Sequence, residues 1–410
     1  MTRRASHWLA LACGLAITAS AAPVSAQPIT FDELGQGRHA ASPPLRPQSP
    51  VWTRARADAW YRSQPFMVGA NFQPSTAINQ LDMFQAATFD PATIERELGW
   101  AKQKFGMNIM RVYLHDMLWA EDPQGFLNRL DQYLAISDRH GVRTMFVLFD
   151  SVWNPDSSLG PQHPPVPGVH NSGWLQTPDR HDLVDRSKDR HFESYVKGVV
   201  GRFARDPRVA MWDIWNEPDN PGGGSFLDEQ LDDEQRRIAE LLPRAFAWAR
   251  QAGATQPLTS GVWIGPDWSP SSRTLTRIQQ AQLAESDVIT FHNYDWPEQF
   301  EDRVRQLRPY GRPIICSEWM ARGNGSTVDA ILPVARRENV GMINWGLVDG
   351  ETQTRFPWDS WERPYVMQQP TVWFHDLMHR DGRPYREREA ALFRELSGDR
   401  QTPAAPAAVR

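Results

Sequence analysis

Cysteine is nearly absent. The chain holds two in 410 residues, Cys13 and Cys316, which excludes a disulfide framework and a cysteine-rich metal site. No run of clustered Lys and Arg is present and the formal net charge is −5, so nucleic acid is excluded as a partner on electrostatic grounds. No segment approaches the roughly 18 consecutive apolar residues of a membrane span. Tyrosine is scarce as well, at 8 against 18 tryptophans. Trp packs cores, and its flat apolar face also suits the CH-rich face of a sugar ring.

The N-terminus carries Arg3 and Arg4, then the apolar run 8–17, then small residues ending in Val24-Ser25-Ala26. This is the pattern of a secretory signal peptide over 1–26, cleaved after Ala26, and it predicts a secreted or periplasmic protein with no membrane attachment after cleavage. Ala10 stands where a lipoprotein signal usually has Leu, so Cys13 reads as part of the leader. Residues 27–50 and 398–410 are rich in Pro, Ser, Ala and Gln and predict a poorly packed N-terminal segment and a flexible tail.

Between them, 51–397 shows no linker and no internal repeat, and reads as one domain. Short apolar runs fall at 66–71, 109–114, 142–149, 210–216, 258–263, 288–292, 313–318 and 340–346. Helical patterns alternate with them at 91–105, 126–139, 185–204, 229–251, 272–284, 298–307, 327–338 and 371–379. Strand–helix alternation repeated eight times predicts an α/β fold, a closed (β/α)₈ TIM barrel. An open nucleotide-binding sheet would carry a glycine-rich first turn; here 66–71 leads into Phe72-Gln73-Pro74, and no GxGxxG occurs. Two connections are long: 150–184 after the third strand and 347–370 after the eighth. Their tryptophans, Trp153, Trp174, Trp358 and Trp361, predict walls around a cleft at the strand C-termini.

The chemistry concentrates in two strand ends. Residues 211–218 end a strand in Asn216-Glu217-Pro218, and 313–319 end another in Glu318-Trp319. A lone Glu at a strand end is usually a salt bridge or a cap. Two of them, on strands four and seven of eight, supply the pair of carboxyl groups that glycoside hydrolysis needs.

With those residues in place the chain resembles the clan of (β/α)₈ retaining glycoside hydrolases, and most closely glycoside hydrolase family 5, the family of many cellulases and mannanases. The likeness covers roughly 66–385. Arg111 matches the family's strand-two Arg, Asn216-Glu217 its strand-four pair, and His292-Asn293-Tyr294 its strand-six His-x-Tyr. Glu318 matches the strand-seven nucleophile and Trp345 the strand-eight floor. The resemblance implies a secreted retaining β-glycosidase acting on a β-linked poly- or oligosaccharide, without cofactor or metal. Glu217 would be the acid/base and Glu318 the nucleophile, their carboxyls about 5–5.5 Å apart. Arg111 would hold Glu318 ionised and Tyr294 would donate to it. Asn216 would bond the sugar 2-hydroxyl. His292 would bond a hydroxyl or brace Glu217, and Trp345 would stack on the ring.

The end of strand three departs from the pattern. Many family members have a His there, whereas this chain reads Phe149-Asp150-Ser151-Val152-Trp153, which leaves the substrate open among glucan, mannan, xylan and shorter glycosides. Asp150 is a substrate ligand or a loop cap. His163, His170 and His181 match no metal-ligand spacing. Two rival readings remain: a non-catalytic sugar-binding barrel, which would have lost a glutamate, and a clan member of another family, such as a xylanase or an exo-β-glycosidase. A metal-dependent barrel amidohydrolase would need His-x-His on the first strand, which 66–71 lacks.

Overall fold

The computed structural model describes residues 50–398. The leader, its cleavage point after Ala26, the segment up to residue 49 and the tail beyond 398 lie outside the described residues.

The strands are β1 (Val68–Asn71), β2 (Ile109–Tyr113), β3 (Arg143–Asp150), β4 (Val209–Asn216), β5 (Leu258–Thr259), β6 (Ile289–Asn293), β7 (Ile314–Trp319) and β8 (Gly341–Asn344). They form one sheet in the order β5-β4-β3-β2-β1-β8-β7-β6, and every pairing is parallel. The two ends meet through Val262, whose N–H donates to the Thr290 carbonyl at 3.2 Å and whose carbonyl accepts from the His292 N–H at 3.0 Å. The eight strands thus curl into the expected TIM barrel. Ladder pairing in β5 spans two residues rather than 258–263, and pairing resumes at the isolated Val262–Phe291 bridge. At Gly69 the β1 and β2 backbones come so close that a Cβ would lie 1.8 Å from the Ile109 carbonyl oxygen, so only glycine fits.

An outer ring of helices follows the strands, with sequence signals that explain their limits. Helix α1 (Arg54–Arg62) precedes the barrel. Helix α2 (Pro91–Phe105) starts at Asp90, whose carboxylate accepts from the Thr93 N–H, and stops at left-handed Gly106. Asp122 and Pro123 begin α3 (Pro123–Arg139) in the same way. Then come α4 (Asp189–Arg202), α5 (Glu234–Gln251), α6 (Arg277–Glu285), α7 (Pro297–Leu307), α8 (Val328–Glu338) and α9 (Glu387–Leu396).

The last helix lies later than the pattern at 371–379 predicts. That stretch is irregular chain. Its Phe374 and His375 pack at the barrel mouth against Trp358, and Leu377 and Met378 both donate backbone bonds to the Leu347 carbonyl. Apolar residues facing two different layers mimicked a helical period. Helix α9 closes the ring instead: Phe393 meets Phe105 of α2 edge-on at 5.7 Å. The buried pair Arg322–Glu389 ties α9 to the loop after β7, at 2.8 and 2.5 Å.

Apolar side chains fall into three layers. The largest lies between sheet and helices. A second plugs the bottom of the barrel with Met67, Ile109, Met145, Met211, Ile315 and Ile343, covered by Ala57 and Tyr61 of α1. A third, mostly aromatic, rings the mouth: Tyr113, Trp153, Trp174, Tyr294, Trp345 and Phe374, with Trp263, Trp358 and Trp361 half-buried beside them.

Alternation along β7 alone puts Cys316 on the same face as Glu318, which predicts a Cys316 side chain inside the barrel. It packs outside with Ile314, while Ile315 points inward. The cause is a register shift: Phe291 pairs Cys316, but the next residue, His292, pairs Glu318. The extra residue, Ser317, resets the parity and turns Glu318 to the interior.

Candidate active site

The strand ends deliver their side chains to one point, β2 by plain period-two alternation and β7 through its register shift. On β2, Ile109, Arg111 and Tyr113 face inward, so Arg111 and Tyr113 sit one above the other. Arg111 is fully buried and organises the centre. Its Nη1 donates to Glu318 Oε1 at 2.6 Å and to Asn71 Oδ1 at 2.8 Å, and its Nη2 donates to Asn216 Oδ1 at 2.6 Å. Asp213 accepts from both Nε and Nη2, at 3.0 and 2.7 Å. The guanidinium thus spans β1, β2, β4 and β7, with planar forks that a lysine does not reproduce.

Glu318 accepts from Arg111, from the Tyr113 hydroxyl on Oε1 at 2.7 Å and from the Tyr294 hydroxyl on Oε2 at 2.7 Å. Burial alone would push its carboxyl up. The charges of His292 and Arg111, with the two hydroxyls, outweigh that and hold it below the ordinary Glu value. Burial raises both tyrosines well above the usual phenol range, so both remain protonated donors.

Glu217 follows β4 with φ +42°, a left-handed conformation that costs a non-glycine residue about 1–3 kcal/mol and recurs at functional sites. Its Oε1 shares a 2.6 Å hydrogen bond with His292 Nδ1, and Asn220 Nδ2 donates to its Oε2 at 2.7 Å. His292 Nδ1 also stands 3.5 Å from Glu318 Oε2, so the imidazole bridges the two carboxyls. Ligand atoms of Glu217, His292 and Glu318 all lie within 4.8 Å of one another. This trio is the group of side chains, among the described residues, that a cation would use. Arg111 opposes that use, because its positive charge already occupies Glu318. Both glutamates are nearly enclosed, 5% and 4% exposed.

Asn216 Nδ2 donates to Asp150 Oδ1 at 2.9 Å, so the amide is fixed between Asp150 and Arg111. Asp150 resolves as a cap and a brace: it also accepts from the Val152 N–H at 3.0 Å and from Trp174 Nε1 at 2.7 Å. Burial raises it to about 7 despite these donors. Trp345 lies at the mouth, edge-on to Tyr113 at 5.9 Å and to Trp174 at 5.7 Å. All seven residues singled out from the sequence therefore meet at one mouth. Sequence reasoning missed Tyr113, Asp213, Asn71 and Asn220. Tyr113 was within reach, since it shares a strand face with Arg111. His170 is buried, with Nδ1 2.9 Å from the Phe356 carbonyl, and takes no part in a metal cluster.

A parallel barrel whose strand ends present an enclosed carboxyl pair inside an aromatic collar defines a (β/α)₈ glycoside hydrolase. More narrowly, the chain belongs to glycosyl hydrolase family 5, whose cellulase model matches residues 69–351. Two curated relatives are the probable mannan endo-1,4-beta-mannosidases A-1 and A-2 of Aspergillus terreus, 24% identical over 116 residues and 26% over 120. The matches cover 28% and 29% of this chain and 28% of each relative's length. Among solved structures, an endo-beta-1,4-mannanase from Thermotoga petrophila is similar with TM-score 0.51 at 12% identity, over 82% of this chain and 77% of that one. An exo-beta-1,4-mannosidase from Opitutaceae bacterium strain TAV5 is similar with TM-score 0.53 at 17% identity, over 87% and 62%. A beta-1,4-mannanase from the sea hare Aplysia kurodai gives TM-score 0.51 at 14% identity, over 75% and 96%. At these identities the likeness is one of fold. Among the described residues no helix is long and apolar enough to cross a membrane.

Proposed function

We propose that the protein is a retaining β-glycosidase that cleaves β-linked sugars by double displacement, with Glu318 as nucleophile and Glu217 as acid/base. The observation that carries this is the contrast between the two carboxyls. Glu318 accepts three donors and is held ionised, whereas the bonds of Glu217 run to the His292 ring and the Asn220 amide. Ligand oxygens of the two lie within 4.8 Å of each other, which suits direct attack by Glu318 on a sugar carbon held between them.

In the first step a Glu318 oxygen bonds to the anomeric carbon while the bond to the leaving oxygen breaks and Glu217 gives that oxygen its proton. In the second, water attacks the same carbon, its proton passes to Glu217, and the Glu318 carboxylate is released. Asn216, fixed from both sides, is placed to bond the sugar 2-hydroxyl, and Trp345 to support the ring. The names of the relatives favour β-1,4-linked mannosides as the first substrates to try, and the leader pattern supports export.

The test is the anomeric configuration of the first product, read by NMR on an aryl β-glycoside. Retained configuration is expected, and inverted product overturns the assignment. Glu318→Ala should lose on the order of 10⁴–10⁶-fold in kcat on every substrate, the scale seen when hydrolase nucleophiles are removed. Glu217→Ala should keep the first step on activated aryl glycosides and regain turnover with azide, because azide needs no general base. A Glu318→Ala enzyme with wild-type turnover refutes the roles.

A further inference from the structure

The chain after β3 does not stay on its own side of the barrel. It crosses above β2 and β1 and is laced to the chain after β8. The Asn171 N–H donates to the Thr352 carbonyl at 2.8 Å, and the Tyr365 N–H to the Gly168 carbonyl at 2.9 Å. Gln353 grips the crossing with both ends of its amide, accepting from the Gly168 N–H at 2.9 Å and donating to the Val166 carbonyl at 2.8 Å. The His170 N–H donates to Ser360 Oγ at 2.9 Å. A Cβ on Gly168 would lie 2.5 Å from the Tyr365 backbone, so the two strips of chain touch directly. The loop after β1 joins the same lattice, through Asn79 Nδ2 to the Gly173 carbonyl at 2.9 Å and Gln80 Nε2 to the Leu175 carbonyl at 2.8 Å.

Beneath this strap is a recess of about 20 Å³, room for about one water and too small for a further sugar ring. Asn71, Gln73, Tyr113, Asn171, Trp174 and Trp345 form its wall. Asn171 is fully buried, yet neither end of its amide has a hydrogen-bond partner among the described residues, and Gln73 Oε1 has none either.

The position of the recess fixes which part of a substrate reaches it. Glu217 on β4 marks the leaving-group side, because it must touch the glycosidic oxygen. The recess lies on the other side, past Tyr113 and Trp345, where anything beyond the ring under attack would have to pass. We propose that this end of the site is blind: the strap stops the chain on the glycone side, so the enzyme acts from the non-reducing end and releases one short product of fixed length. This rests on the glycosidase reading above.

The experiment uses β-1,4-manno- and cello-oligosaccharides of three to six units, carrying ¹⁸O at the reducing end, with product lengths followed by mass spectrometry. A single unlabelled short product from the earliest time is expected, with the label kept in the shortening remainder. Chains methylated at the terminal 4-hydroxyl should resist cleavage. A ladder of labelled and unlabelled products at early times, or cleavage of the blocked chains, overturns blind-end action while leaving the glycosidase reading intact. Failure to cleave either these chains or aryl β-glycosides overturns both. Gln353→Ala, which loosens the strap, should let products of mixed length appear. Unchanged product length in that variant removes the strap as the stop.

Discussion

Arg111 does more than one task at the centre of the site. It neutralises Asp213, orients Asn216 and holds the Glu318 carboxyl below its ordinary value. Removing it would leave two buried carboxylates unpaired, and a broken buried pair costs about 3–5 kcal/mol. Arg111→Lys keeps the charge but loses the fork. With a weaker counter-charge and fewer donors, Glu318 should titrate higher. Its ionised form is the reactive one, so the acid limb of the kcat/KM profile should move to higher pH in the variant. A wild-type limb that already lies above the usual Glu range, or no movement in the variant, would contradict the electrostatic role. The strand-end pattern marked Asn216, Glu217 and Glu318, and the resemblance to family 5 added Arg111, His292, Tyr294 and Trp345. Neither marked Asp213, since a carboxylate in mid-strand reads as an interruption until its partner across the barrel is known. Asn220 was hidden for another reason: only the turn after left-handed Glu217 brings it back to that carboxyl.

At the scale of elements, strand–helix alternation was legible because parallel strands are apolar on both faces and helices keep their own period and caps. Three features were not legible. The Ser317 register shift leaves the residue pattern of β7 unchanged while reversing what faces inward. The 371–379 stretch has helix-like spacing but is shared between the mouth and the β8 loop. The destination of the 150–184 connection depends on backbone bonds that any residue can make. The loops do wall the mouth, though their tryptophans divide by task. Trp174 is buried against Tyr113 and Trp345, and Trp153 stacks on Trp361 at 5.2 Å, so these rings largely pack one another. Trp263, in contrast, is half-buried beside His292 and Tyr294, near Glu217 and hence on the leaving-group side. Trp263→Ala should raise KM for oligosaccharides of four or more units by roughly 3–10-fold, the worth of one lost stacking contact. Small aryl glycosides should change less, and an equal effect on both substrates would assign Trp263 to packing.

The whole molecule stores an unusual set of buried titratable groups, and their signs give a pH dependence of stability. Burial raises Glu97, Asp150, Asp219 and Asp376 each to about 7. A raised pKa means that the folded state binds more protons than the unfolded one between about pH 4 and 7. The stability these groups contribute is therefore complete below the unfolded carboxylate value and lost as pH rises through about 7. Asp213, Glu234 and Asp295 are shifted the same way. Buried histidines oppose them, His115 among them, its value lowered by burial. Burial lowers His170 to about 4 and His375 well below its ordinary value, so their contribution is present above pH 6.5 and lost as pH falls. Glu318 and Asp116, held below their ordinary values, titrate below this window. From pH 8 down to 6.5 only the carboxyl set responds, so the melting temperature should climb; below 6.5 the histidines offset part of the gain and the curve should flatten. Asp376→Asn isolates one contributor, because the amide cannot ionise and sits by Thr354, which donates to the carboxylate at 2.7 Å. The variant should therefore narrow the gap in melting temperature between pH 8 and pH 6, mainly by gaining at pH 8. A melting temperature that instead rises steadily from pH 6 to pH 8 in the parent protein would show that these carboxyls ionise without penalty, and that the barrel mouth is wetter than its enclosed geometry implies.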